Sequence, residues 1–195
     1  MVHEVSMGDR QLTSYTLPSP DLAPENGLSY PFTVDQTPGS EQSSTQERVT
    51  QTLSQLLIQH LRGTSAIVSL HPRPVYLEAA SAYCYPDLMV THDPRDLDCC
   101  QGLDGVVQYP CLIIDVISHP FSGSEKPGQF EQYRQIETLE EYVWLDPTQP
   151  KLNCWRQIEP GVWEAYLYES GDDVYLDSLS FLIEIEAIYD GMLTP

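Results

Sequence analysis

The stretch YPCLIIDVISHP, Tyr109 to Pro120, decides how the chain is read. Leu112 to Ser118 has the unbroken apolar, β-branched character of a strand buried on both faces, yet Asp115 stands in its middle. An isolated ionised carboxylate in an apolar interior is expensive, so it must be paired, exposed at a sheet end or bound to a cation. A second acid poses the same question: Asp87 follows Pro86 and precedes Leu88-Met89-Val90 in the strand-like run Ala82 to Thr91.

Around these two strands the chain alternates helix and strand signals. Residues 1–43 are rich in Pro, Ser, Thr and Gly without a sustained period, and read as an irregular arm with one short strand signal near YPFTV. The folded domain is expected over residues 44–195. Ser44 and Glu47 have capping-box spacing, and Val49, Leu53, Leu56, Leu57 and Leu61 recur at helical intervals before Gly63. Strands are expected at Thr64 to Leu70, at VYLEA and at Ala82 to Thr91. His92 to Gln108 reads as a long loop. Pro127 suits the first position of a helix running through Phe130, Tyr133 and Ile136. Glu141 to Pro147 is a strand ended by an Asp-Pro turn. KLNCWRQ, GVWEAYLYE and DVYLD then alternate like an antiparallel meander, and SFLIEIEAIYDGM suggests a short terminal helix. This order favours an α/β (α+β) domain, a mixed sheet with helices packed on it.

Composition bounds the function. The 195 residues carry 29 acids against 9 bases, a formal net charge of −20. A protein that grips nucleic-acid phosphates normally offers a basic face, so this balance disfavours a broad DNA-binding surface. There is no long apolar run for a membrane span, and the amino terminus lacks the apolar stretch of a secretory signal; a cytoplasmic protein without a membrane partner is expected. Cys84, Cys99, Cys100, Cys111 and Cys154 show no Cys-x-x-Cys spacing and read as reduced thiols, partly core filler.

Taken singly, Asp115 can be a structural acid bonded to backbone amides or paired with Arg134, and Asp87 a turn-adjacent acid at a strand end. Together they suit a hard cation such as Mg²⁺, which takes one or two carboxylates plus water and substrate oxygen. Glu47 is accounted for by its capping role, and His119 by a surface loop beside proline. Phe130, Tyr133, Trp155 and Trp163 read as core, the two tryptophans placed to pair across a hairpin.

The segments YCYPDLMVTHDPRD, YPCLIIDVISHPF and FEQYRQIETLEEYVWLDP, taken together, resemble the Uma-two family of restriction-endonuclease-like proteins, within the PD-(D/E)xK nuclease superfamily. The resemblance spans about Ser43 to Ile188. It implies a restriction-endonuclease-like fold and metal-dependent phosphodiester hydrolysis, with Mg²⁺ or Mn²⁺ as cofactor, DNA as the implied substrate and a homo-oligomer as the expected assembly. Asp87 takes the place of the family's first acid, and Asp115 stands where glutamate is usual. Asp87, Asp115 and the Val116 carbonyl are then the implied metal ligands. The superfamily lysine two residues after the second acid is Ile117 here. The place on the following helix to which this branch moves its lysine is held by Gln129, with Lys126 three residues earlier as a substitute.

Overall fold

The computed structural model describes residues 41–70, 73–99, 105–117 and 128–192. The amino-terminal arm with its YPFTV signal, His119, Lys126 and Pro127 lie outside them.

A six-stranded sheet organises the domain. Its strands are β1 (Ile67–Leu70), β4 (Leu88–Thr91), β5 (Leu112–Val116), β6 (Glu141–Leu145), β7 (Lys151–Glu159) and β8 (Val162–Glu169), in the order β1-β4-β5-β6-β7-β8. Neighbours are antiparallel except β5 and β6, which run parallel. A parallel pair needs a crossover, and the short helix α3 (Gly128–Tyr133) lies in that connection. The sheet is therefore mixed, as the order of signals predicts. Two small hairpins stand apart from it, β2 (Val75–Leu77) with β3 (Ala82–Cys84), and β9 (Asp173–Leu176) with β10 (Phe181–Glu184).

Both faces of the sheet are covered. On one face α1 (Glu41–His60) lays Val49, Leu53 and Leu57 over Leu88, Val90, Leu112, Ile114 and Val116, and α4 (Ile185–Ile188) adds Ile185 and Ile188. On the other, Phe130 and Tyr133 of α3 pack with Met89, Ile113, Tyr142, Trp144, Trp155 and Trp163. The strict alternation along β5, with Ile113 on the second face and Ile114 on the first, explains its near-continuous apolar sequence: each side meets a core.

Several expectations are corrected. The first helix begins at Glu41, so Ser44 lies inside it rather than capping it. The run Ala82 to Thr91 breaks at Tyr85-Pro86-Asp87 into β3 and β4, since proline has no N–H for a ladder. The expected loop from His92 contains a six-residue helix, α2 (Pro94–Cys99). Buried Asp96 there accepts from Thr91 Oγ1 and from the amides of Gln108 and Tyr109, each at 2.9 Å, tying both ends of the segment together. The presumed terminal helix is half strand: Phe181–Glu184 pairs with Asp173–Leu176, which leaves the last meander strand outside the main sheet. Trp155 and Trp163 face one core but are not direct partners; Trp155 pairs with Ala165 and Trp163 with Gln157, while both rings contact Phe130 at 5.3 Å. Cys84, Cys111 and Cys154 are free thiols, the last two buried.

Candidate active site

The β4–β5 ladder sets the geometry. Its pairs are Val90 with Leu112, Met89 with Ile113 and Leu88 with Ile114, so Asp87 lies just before the last pair and Asp115 just after it, close enough for each charge to act on the other. Two acids 28 positions apart in sequence thus meet at one end of this ladder, next to Pro86.

Each carboxylate is held differently. Asp87 Oδ2 accepts the Val116 amide at 2.8 Å, so this acid also clasps the end of β5. The Gln46 side-chain amide donates to both Asp87 oxygens at 3.3 and 3.4 Å. Asp115 is 5 % exposed and accepts from the Tyr142 hydroxyl at 2.9 Å. Burial, and then the neighbouring Asp87, push the Asp115 carboxyl up to about 7, against the opposing pull of the Tyr142 hydrogen bond. Beside it Cys84, its own thiol pushed up by burial and by Asp115, lies 3.6 Å from Gln132 Oε1. Replacing Tyr142 with phenylalanine removes the larger of the two hydrogen bonds that favour the charged form, the other coming from the Asp87 backbone. The Asp115 titration, followed by carboxyl NMR in metal-free protein, should move upward by roughly one pH unit; no movement would show that the hydroxyl does not stabilise the carboxylate.

The alternative of an ion pair between Asp115 and Arg134 is not what forms. Arg134 Nε pairs with Glu131 at 2.9 Å, one helical turn back, and Asp115 is left to Tyr142. Glu47 is exposed, whereas its neighbour Gln46 reaches Asp87. Gln46 sits one turn before Val49 on the buried stripe of α1, and following that stripe one turn back leads to it. Gln129 is half-buried on the first turn of α3, a helix seated beside Asp115 by the stacking of Phe130 on Tyr142, 5.7 Å between centroids. No hydrogen bond among the described residues joins Gln129 to either acid; on this helix it is Gln132 that meets Cys84. Val116 touches Asp87 through its N–H.

The residues present fit a hard divalent cation. Two carboxylates lie near each other at a strand end, one of them buried and disfavoured in its charged form by the other; a cation between them would reverse that penalty. Two carboxylates plus water and substrate oxygen are a donor set that suits Mg²⁺; among the described residues there is no group of three or more His, Cys, Asp or Glu that could hold a metal. No helix among the described residues is long and apolar enough to cross a membrane.

Comparison with known proteins bears on the family and the fold. Two proteins of Synechocystis sp. (strain ATCC 27184 / PCC 6803 / Kazusa) are similar: slr1290, 26% identical over 140 residues covering 72% of each chain, and sll1609, 27% identical over 122 residues covering 62% of this chain and 67% of that one. A crystal structure from Anabaena variabilis ATCC 29413, described as that of "a putative nuclease belonging to DUF820", shares the fold with a TM-score of 0.54 at 11% identity, over 74% of this chain and 80% of that one. Residues 33–188 match the Uma2 family, described as "Putative restriction endonuclease", and contain both carboxylates, Gln46, Gln129 and Tyr142. With most of its length inside that match and a mixed, helix-flanked sheet like that of the Anabaena protein, the chain belongs to the Uma2 family of restriction-endonuclease-like proteins.

Proposed function

We propose that the protein is a metal-dependent nuclease that hydrolyses phosphodiester bonds at the Asp87–Asp115 site. The ladder end that brings these two acids near each other carries the proposal. Asp87, Asp115 and the Val116 carbonyl would hold Mg²⁺ or Mn²⁺, which supplies Lewis-acid stabilisation of charge on phosphate and a more acidic water. In the reaction a water oxygen bonds to phosphorus as the bond to one ester oxygen breaks; the water's proton passes to solvent and the leaving alkoxide is protonated.

The chain's own part is to hold and orient. Gln46 and the Val116 amide fix Asp87, and Tyr142 fixes Asp115. Gln129 is the residue proposed to orient the attacking water through neutral hydrogen bonds, with Lys126 as the nearest cation in sequence. An inactive family member that keeps the scaffold as a binding or assembly module is the competing reading. It draws on Ile117 and Gln129 standing where lysine is expected, and on the net charge of −20.

The test is incubation with single- and double-stranded DNA and RNA in Mg²⁺ or Mn²⁺, beside Asp87→Ala and Asp115→Ala. Wild type should cleave at least one of these polymers, and each variant should lose on the order of 10²–10³-fold or more. Cleavage persisting in both variants would move the site elsewhere. No cleavage, with no metal binding by calorimetry, would favour the binding module.

A further inference from the structure

Tyr83 and Tyr85 are 56 % and 51 % exposed, and they are the exposed aromatics among the large apolar side chains of the described residues; the others, such as Ile58, Ile158, Leu167 and Leu182, are aliphatic. Both tyrosines lie on the segment that leads directly into Asp87. Tyr85 is two residues from it and Tyr83 four, so even a fully extended chain keeps Tyr83 within about 14 Å of the acid, roughly four stacked nucleotide steps. Tyr83 is fixed as well as exposed. It is the central residue of β3, paired in register with Tyr76 of β2, and the two rings lie 5.1 Å apart. The alternation along β3 turns Cys84 toward Gln132 and Asp115 and turns Tyr83 away to solvent.

The charges argue in the same direction. Arg95, Arg134, Arg156 and Lys151 are each engaged by an acid, Asp93, Glu131, Glu141 and Glu169. Among the described residues, the side chains that hydrogen-bond the two carboxylates are neutral, Gln46 and Tyr142. With 9 bases against 29 acids, the chain has little with which to neutralise the dense charge of a duplex. Aromatic faces add sequence-tolerant stacking on unpaired bases, which a duplex keeps inside its own stack.

We propose that the substrate of this site is an unpaired, single-stranded segment of nucleic acid, held by stacking of its bases on Tyr83 and Tyr85 next to the scissile phosphate at Asp87 and Asp115. The proposal rests on the nuclease reading for its orientation, and its binding half can be tested without catalysis. Fluorescence anisotropy in the Asp115→Asn background, with Mg²⁺ present, would compare a short single strand, the same strand with abasic positions, and the matching duplex. The single strand should bind at least about 10-fold more tightly than either competitor. Tyr83→Ala/Tyr85→Ala should weaken it about 10- to 100-fold, and Tyr83→Phe/Tyr85→Phe should restore binding to within about 3-fold of the parent, since phenylalanine keeps the stacking face. Duplex bound as well as single strand, or an alanine pair that binds like its parent, overturns the proposal. In the parallel cleavage assay, cleavage whose KM is unmoved by the alanine pair overturns the stacking proposal alone. Tyrosine-dependent binding without cleavage by wild type sinks the nuclease reading and leaves stacking standing. Neither binding nor cleavage overturns both.

Discussion

Replacing Asp115 with asparagine is expected to make the metal-free protein more stable above neutral pH while removing its nuclease activity. In the folded state burial and Asp87 raise the Asp115 carboxyl to about 7, against an ordinary 3.8. Below about pH 4 the group is neutral in both folded and unfolded chains, and its burial carries no ionic penalty. As pH rises from about 4 to about 7 the unfolded chain ionises first, so stability falls across that window and stays low above it. A displacement of this size corresponds to a penalty on the order of 4 kcal/mol. Asparagine keeps an acceptor for the Tyr142 hydroxyl without the charge. The variant should therefore melt higher than wild type at about pH 8, the difference should shrink toward pH 4, and the wild-type slope between those limits should flatten. Mg²⁺ or Mn²⁺ should raise the wild-type midpoint through binding linkage and leave the variant's nearly unmoved. Cleavage should fall on the order of 10³-fold, since several kcal/mol of metal-borne stabilisation is lost with the ligand. An Asp115→Asn protein less stable than wild type at high pH in the absence of metal would show that the carboxylate is a structural acid. On the proposed function, the acid on this buried strand trades stability for chemistry.

Much of this was legible before any coordinates, and the reasons for success and failure are physical. The double-sided core reads out of the apolar run Leu112 to Val116, and the crossover helix from Phe130 and Tyr133, although it ends at Tyr133, short of Ile136. Asp87 and Asp115 stand out because each breaks a pattern that burial otherwise enforces. Their nearness is a register fact, fixed by the β4–β5 ladder, and register between strands separated by a long connection leaves no local mark. Gln46 and Tyr142 were missed for the same reason. A glutamine at the start of an amphipathic helix is unremarkable until the helix is laid across the end of the sheet. Tyr142 looks like any aromatic strand residue until parallel pairing sets it beside Ile113, two positions from Asp115. The split of Ala82 to Thr91 was signalled by Pro86, whose missing N–H outweighed the strand propensity of its neighbours. The strand character of Phe181–Glu184 was masked by helical formers such as Leu182 and Glu184, and tertiary pairing with β9 overrode that preference.

Glu141 supplies the contrast that separates a structural acid from a site acid, and its removal should have the larger effect on folding. It is fully buried on β6, the strand next to Asp115, and by composition alone it is as anomalous as Asp115. Its oxygens are saturated, however. Arg156 Nε donates to Oε1 at 2.8 Å, the Asp177 amide to the same oxygen at 3.1 Å, and the Ser178 amide and hydroxyl to Oε2 at 3.0 and 2.6 Å. It thereby joins β6 and β7 to the turn after β9, while Arg156 continues to the Tyr175 carbonyl at 2.7 Å. No lone pair is left to face a ligand. Glu141→Ala strands a largely covered guanidinium and four further donors, the Asp177 and Ser178 amides, the Ser178 hydroxyl and the Cys154 thiol, a loss of about 3–5 kcal/mol by denaturant titration. Glu141→Gln retains acceptor capacity for some of the donors and should cost less. Arg156→Met together with Glu141→Leu should recover much of the alanine loss, because the pair is then replaced by apolar volume rather than broken. Asp115→Asn is predicted to stabilise and Glu141→Gln to destabilise, although both replace a buried carboxylate by its amide on neighbouring strands. Opposite signs in one chain would tie the difference to partners, a full set of donors for Glu141 and a neighbouring acid for Asp115. Equal signs would mean that the neighbouring acid does not set the energy of Asp115, and the cation site would lose its physical basis.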